Sequence, residues 1–268
     1  MKSLGPHALN TVIAGSFSPV DLNRCSRLPV AELEVYENLV TWFPKHQTFI
    51  AGGFASFAMG YTSDFSNVNV YVMCESSEDA GKLHQQAKER VRDMRKADRC
   101  AVSGVQWKIR CEGYRFYIYF RGDDGCNTLM DVKICVMPPH RHVGKFRYID
   151  MLTVVGRFDM FQSMCIIDSV DLPGKHCSAL ALYQFQQAVA DTDTRSLLAI
   201  QKRRDCIAAF GKWTPEAMFW DNIEERCARY KCKTQRPNLK IGVPRLSSIC
   251  LSELLDKTRL CNILSKLA

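Results

Sequence analysis

The chain of 268 residues has no apolar stretch near the roughly 18 to 20 residues that a membrane-spanning helix needs. Its best runs are broken by Asn, Asp, Lys or Gly, which excludes a helical span and leads to the expectation of a soluble chain. A signal-peptide core is also lacking, because His7, Asn10 and Thr11 interrupt the mildly apolar segment that ends at Phe17. An intracellular location, cytoplasmic or nuclear, is therefore expected. No C-x-x-C pair occurs among the 13 cysteines, whose number is odd and whose spacing is irregular. That pattern argues against a disulfide framework and favours reduced thiols buried as small hydrophobes. His140 and His142, taken with Cys126, Cys135, Cys227 or Cys232, match no zinc-site spacing. Internal repeats and low-complexity tracts are absent as well.

Acid is in short supply. Asp and Glu number 28 against 36 Lys and Arg, a formal net charge of +8, which favours a polyanionic partner such as nucleic acid, a nucleotide or an acidic surface. Two basic clusters stand out. One lies along a helical pattern, with Lys82, Lys88, Arg90, Arg92, Arg95, Lys96 and Arg99 opposite an apolar stripe of Ala80, Leu83, Ala87, Val91 and Met94. The other is Lys202, Arg203 and Arg204 within "QKRRD". A solvated helix face is the alternative reading of both.

Three regions are expected. Residues 1–29, rich in Pro, Ser, Asn and Gly, read as an N-terminal arm, extended or loosely packed. Residues 30–140 read as a mixed helix and strand lobe. A helix from Val30 to Phe43 is stopped by Pro44, "TFIAGG" is a short buried strand, and "FASFAMG" is a short helix closed by Gly60. In "NVNVYVM", Val68, Val70 and Val72 alternate with Asn67, Asn69 and Tyr71, as in a strand with one buried face. Ser76 or Ser77 caps the basic helix; "VQWKIRC" and "YRFYIYF" form a hairpin about Glu112 and Gly113. In "LMDVKICVM", Asp131, Lys133 and Cys135 share one face. Residues 141–268 read as a mainly helical lobe, including "SALALYQFQQAVAD" and a helix begun by Thr214 and Pro215. The expected class is α+β, a mixed-sheet lobe followed by a helical one.

The central segment is "GGFASFAMGYTSDFSNVNVYV", residues 52 to 72. Two glycines precede a short helix, 13 residues separate Gly53 from Asn67, and Asp131 lies between Met130 and Val132 on a later strand. This arrangement resembles the nucleotidyltransferase superfamily of the polymerase-beta type over residues 48 to 136. In that family a Gly-Gly or Gly-Ser pair is followed by an Asp-h-Asp strand and a third acid on a neighbouring strand. The resemblance implies that Gly52 and Gly53 hold phosphate and that Asn67, Asn69 and Asp131 occupy the three acid positions. It also implies that Lys202, Arg203 and Arg204 of the helical lobe supply further cations. Acids at those positions would hold Mg2+, which aligns a triphosphate and activates a hydroxyl.

Here the family pattern is broken. Asn offers one neutral carbonyl oxygen where Asp offers two anionic ones, so three negative charges become one and two-ion binding is severely weakened. Asp131 is the one remaining metal ligand, and Mg2+ is expected only where a nucleotide brings it. Lys133, two residues on along the same face, makes an ordinary ion pair the alternative role for Asp131. The expected function is a catalytically degenerate nucleotidyltransferase-like protein that binds nucleotide, nucleic acid or a protein assembly partner. Two alternatives remain: an active enzyme using Asp131 with Glu75, Asp123 or Asp124, and an assembly protein without nucleotide affinity.

Overall fold

A computed structural model describes residues 4–21, 42–44, 47–63, 65, 67–98, 108–112, 115–121, 127–137, 143–155, 158, 163–168 and 176–182. The elements in chain order are α1 (Pro6–Ser16), β1 (Ser18–Asp21), β2 (Thr48–Ala51), α2 (Gly53–Ala58), β3 (Asn67–Cys74) and α3 (Ser77–Asp98). They continue with β4 (Lys108–Glu112), β5 (Arg115–Arg121), β6 (Asn127–Val136), α4 (Arg147–Val155), β7 (Cys165–Asp168) and β8 (His176–Ala181). The strands make one eight-stranded sheet in the order β1-β8-β7-β2-β3-β6-β5-β4. β3 and β6 run parallel, and the neighbouring strands on either side of this pair run antiparallel. A parallel pair needs a crossover, and α3 lies within the chain that makes it.

Helices pack on both faces of the sheet. On one, Ile50, Val68, Val70, Val72, Val132 and Ile134 meet Phe54, Phe57 and Ala58 of α2 and Ala80 and Ala87 of α3. On the other, Phe49, Ala51, Tyr71 and Met73 meet Leu9 and Ile13 of α1 and Ile149, Met151, Leu152 and Val155 of α4. Fully burying a side chain such as Phe49 or Ile50 contributes about 2 kcal/mol each. The alternation expected in β3 is real, but both of its faces are covered: Asn69, Tyr71 and Met73 are buried as well as the valines.

Local signals explain several boundaries. At the start of α3 the Ser76 hydroxyl accepts the Asp79 N–H at 3.1 Å and donates to the Asp79 carboxylate at 2.8 Å, a reciprocal N-terminal cap. α2 ends in a left-handed Gly60, with Gly60 N–H bonded to the Phe57 carbonyl and Tyr61 N–H to the Ser56 carbonyl. That pairing is the Schellman stop, which favours glycine because its φ is +81°. A remote cap links α1 to α4: Asn10 Oδ1 of α1 accepts the N–H groups of Tyr148 and Ile149 in the first turn of α4.

Three expectations are corrected by these elements. Residues 6–16 are a helix packed into the core, not part of an extended arm; Pro6 stands at its first turn, and Leu9 and Ile13, one turn apart, are fully buried. Residues 178–181, expected to be helical, belong to β8. Cys177, Ala179 and Ala181 face one side of the sheet and Leu180 the other, so both faces are apolar and the residues show no helix-distinguishing period. β7 and β8 also extend the sheet beyond residue 140, into the region expected to be helical. The helix expected from Val30 lies, up to residue 41, outside the described residues, as do all helices expected beyond residue 182. Among the described residues no helix is long and apolar enough to cross a membrane.

Candidate functional site

β3 and β6 are in register so that Asn67 stands opposite Leu129, Asn69 opposite Asp131 and Tyr71 opposite Lys133. Partners in a parallel pair project to the same face, so Asn67, Asn69, Tyr71, Asp131 and Lys133 share one surface of two adjacent strands. β2 lies on the other side of β3, with Ala51 opposite Asn69, and its chain continues directly into Gly52 and Gly53. The five polar positions and the glycine turn thus meet at one end of the β2-β3-β6 group.

Lys133 organises this cluster. Its ammonium donates to Asn69 Oδ1 at 2.8 Å and to the Tyr71 hydroxyl at 3.3 Å, and lies 3.3 Å from Asp131 Oδ2. It also stands 5.0 Å from the centre of the Tyr71 ring, within cation–π range. Asn67 Nδ2 donates to the same Asn69 Oδ1 at 3.1 Å. One carbonyl oxygen of Asn69 therefore accepts from both an amide and an ammonium. Asp131 has no exposed side-chain surface, whereas Lys133 keeps 23% of its own. At an effective dielectric of about 20 the attraction at this separation is on the order of 5 kcal/mol, much of it offset by desolvation of the carboxylate.

Gly52 is fixed by conformation and by space. Its φ of +93° is left-handed, and a Cβ placed there would come within 3.1 Å of Asn69 Nδ2. Its N–H donates to the Cys165 carbonyl at 3.1 Å, joining the turn to β7. The Asn69 amide thus packs over Gly52 with its nitrogen toward the turn and its oxygen toward Lys133. Gly53 is the first residue of α2, a helix of six residues, too short to give a strong dipole at its N-terminus. The Phe158 ring closes one side, 5.7 Å from the Tyr71 ring and 3.9 Å from where the Gly52 Cβ would be.

The residues do not fit the pair of divalent ions that the resemblance implies. Two of the three acid positions are neutral amides, and the third is a buried carboxylate already in contact with an ammonium; the four groups carry one negative and one positive charge. Hard cations such as Mg2+ need anionic oxygen in the first coordination sphere. Among the described residues, no group of three or more His, Cys, Asp or Glu is placed to hold a metal. Glu75 cannot join Asp131: it follows the last residue of β3, about 20 Å along the strand from Asn69 at 3.3 Å per residue. Its carboxylate accepts the Val143 N–H at 2.9 Å. Asp123, Asp124, Lys202, Arg203 and Arg204 lie outside the described residues.

Cys74, Cys135, Cys165 and Cys177 form no disulfide among the described residues. Burial, reinforced by Asp79, pushes the Cys74 thiol up to about 11, and burial pushes Cys165 up still further, so neither is poised as a nucleophile. On α3, Lys88, Arg90 and Arg92 are exposed, but Glu89 and Asp93 are exposed among them, and Lys82 pairs with Glu78 at 2.7 Å. This helix face is mixed in sign.

Tyr71 and Phe158 have no part in the motif itself. Tyr71 was within reach, being two residues after Asn69 on the same strand face; Phe158 follows α4 and has no local signal linking it to β3. No family model matches the chain, and a search of curated proteins returned no match.

Proposed function

We propose that residues 48–136 are a nucleotidyltransferase-like scaffold whose acid constellation has been replaced, and that the protein acts by binding rather than by nucleotide transfer. The observation behind this reading is the state of the one carboxylate left at the three positions: Asp131 is buried and faces the Lys133 ammonium at 3.3 Å. Supporting it are Asn67 and Asn69, which share a hydrogen bond at 3.1 Å and supply no charge. A reaction that depends on two divalent ions has no anionic frame here. The net charge of +8 favours a polyanion, nucleic acid or nucleotide, as the bound partner, and the odd number and irregular spacing of the 13 cysteines suit an intracellular compartment.

The test is direct. Purified full chain with Mg2+ or Mn2+, each labelled nucleoside triphosphate, and RNA or DNA acceptors is expected to give no incorporation, while retaining salt-sensitive binding to the acceptor. Incorporation that Asp131→Ala abolishes contradicts the reading. Absence of both incorporation and binding favours the assembly-protein alternative.

A further inference from the structure

We infer that Lys133 is a resident cation: its ammonium takes, from within the chain, the place between the β3 and β6 side chains that a divalent ion would need. The inference deepens the reading above and rests on it, because it explains how the replaced acid positions stay folded without a metal. Three features point to this role. The ammonium contacts Asn69 and Asp131, which are register partners on adjacent strands, and therefore bridges the two positions that a shared ion would bridge. The polar groups around it match a cation: Asn69 turns its carbonyl oxygen, not its nitrogen, toward Lys133, and the Tyr71 hydroxyl accepts as well. Lys133 also lies on the same strand as the carboxylate it faces, two residues away, so the cation comes from the chain and not from solution.

The seat is thus electrically closed. An aspartate at position 69 would face an ammonium that already stands between positions 69 and 131, so restoring acids alone would leave the place of the ion occupied. Removing Lys133 alone would leave Asp131 buried without its cation, and a divalent ion could then compensate. Lysine and metal are alternative occupants of one place, with Asn at 67 and 69 matched to the lysine and Asp matched to the metal.

The experiment follows Mn2+ binding by electron paramagnetic resonance in four forms of the full chain. These are the parent, Lys133→Met, the pair Asn67→Asp with Asn69→Asp, and all three substitutions together. The parent is expected to bind no Mn2+ at this site, and the acid pair with Lys133 retained is expected to gain little. The triple variant is expected to bind roughly tenfold or more tightly than the acid pair. Equal affinity of the acid pair and the triple variant overturns the inference. Thermal unfolding guards against a misfolded triple variant: Lys133→Met is expected to lower the midpoint, and Asp131→Asn added to it is expected to restore the midpoint without metal. A midpoint unmoved by Lys133→Met also overturns it. Nucleotide incorporation by the parent would sink the binding-only reading and leave these metal titrations to be judged on their own.

Discussion

Asp131 and Asp168 are both buried aspartates of the same sheet, each with a cation beside it, and they differ in where that cation comes from. Asp168 on β7 is met by Arg147 from the first turn of α4, and the same guanidinium donates to the Thr48 carbonyl of β2 at 2.9 Å. One arginine thus ties a helix to two strands. Asp131 is met by Lys133 of its own strand, whose further partners, Asn69 and Tyr71, are on the adjacent strand. No helix is tethered by these contacts. The planar guanidinium serves two acceptors at fixed angles, whereas the ammonium is a compact charge with rotatable donors. The first pair is architecture. The second neutralises a position, and its geometry gains meaning only beside Asn67, Asn69 and Gly52.

The largest effect should come from the first pair. Arg147→Met takes this guanidinium from the buried Asp168 and this donor from the Thr48 carbonyl, and is expected to cost about 3 to 5 kcal/mol in urea unfolding. A loss below that of Lys133→Met would reverse the ranking of the two pairs. Gly52→Ala comes next, at about 2 kcal/mol, because a side chain is strained at φ +93° and its Cβ meets the Asn69 amide at 3.1 Å. Adding Asn69→Ala should return only the contact part of that loss. If it returns all of it, the backbone is not the constraint.

Lys133→Met is expected to cost about 1 to 2 kcal/mol, less than Arg147→Met, since the partly exposed position lets water reach toward Asp131. The last effect is confined to alkaline conditions, where either pair must be measured against the thiols. Cys74 titrates near 11 in the folded chain and at 9.0 when unperturbed. Its raised folded value means that the stability it contributes is complete below pH 9 and declines as pH rises between 9 and 11. Cys74→Ala should flatten that part of the profile, and an unchanged slope would assign the decline to other groups.

Much of the centre of the sheet was legible in the sequence, and its edges were not. β3, the α3 stripe of Ala80, Leu83 and Ala87, and the Ser76 cap follow from local periods and side-chain chemistry. The hairpin of β4 and β5 was legible as well, but Glu112, expected in its turn, is the last residue of β4 and pairs with Arg115. α1 was hidden because it shows only Leu9 and Ile13 to the core, too few for a periodic signal, although Pro6 marks its start. β8 was hidden because a strand buried on both faces has no alternation to read. At the candidate site, alternation alone puts Asn67 and Asn69 on one face and Asp131 and Lys133 on another strand's face. That the two faces coincide, with Asn69 beside Asp131, is a matter of strand order and register, which no single stretch of sequence encodes. From sequence Lys133 reads only as an ordinary partner for Asp131; its contact with Asn69 depends on both strands.

The most direct test is a crystal structure of the parent protein grown with excess Mn2+ and measured at the manganese absorption edge. The account predicts ammonium density between Asn69 Oδ1 and Asp131 and no anomalous peak there. An anomalous peak bridging those two side chains, with Lys133 swung away, would contradict it.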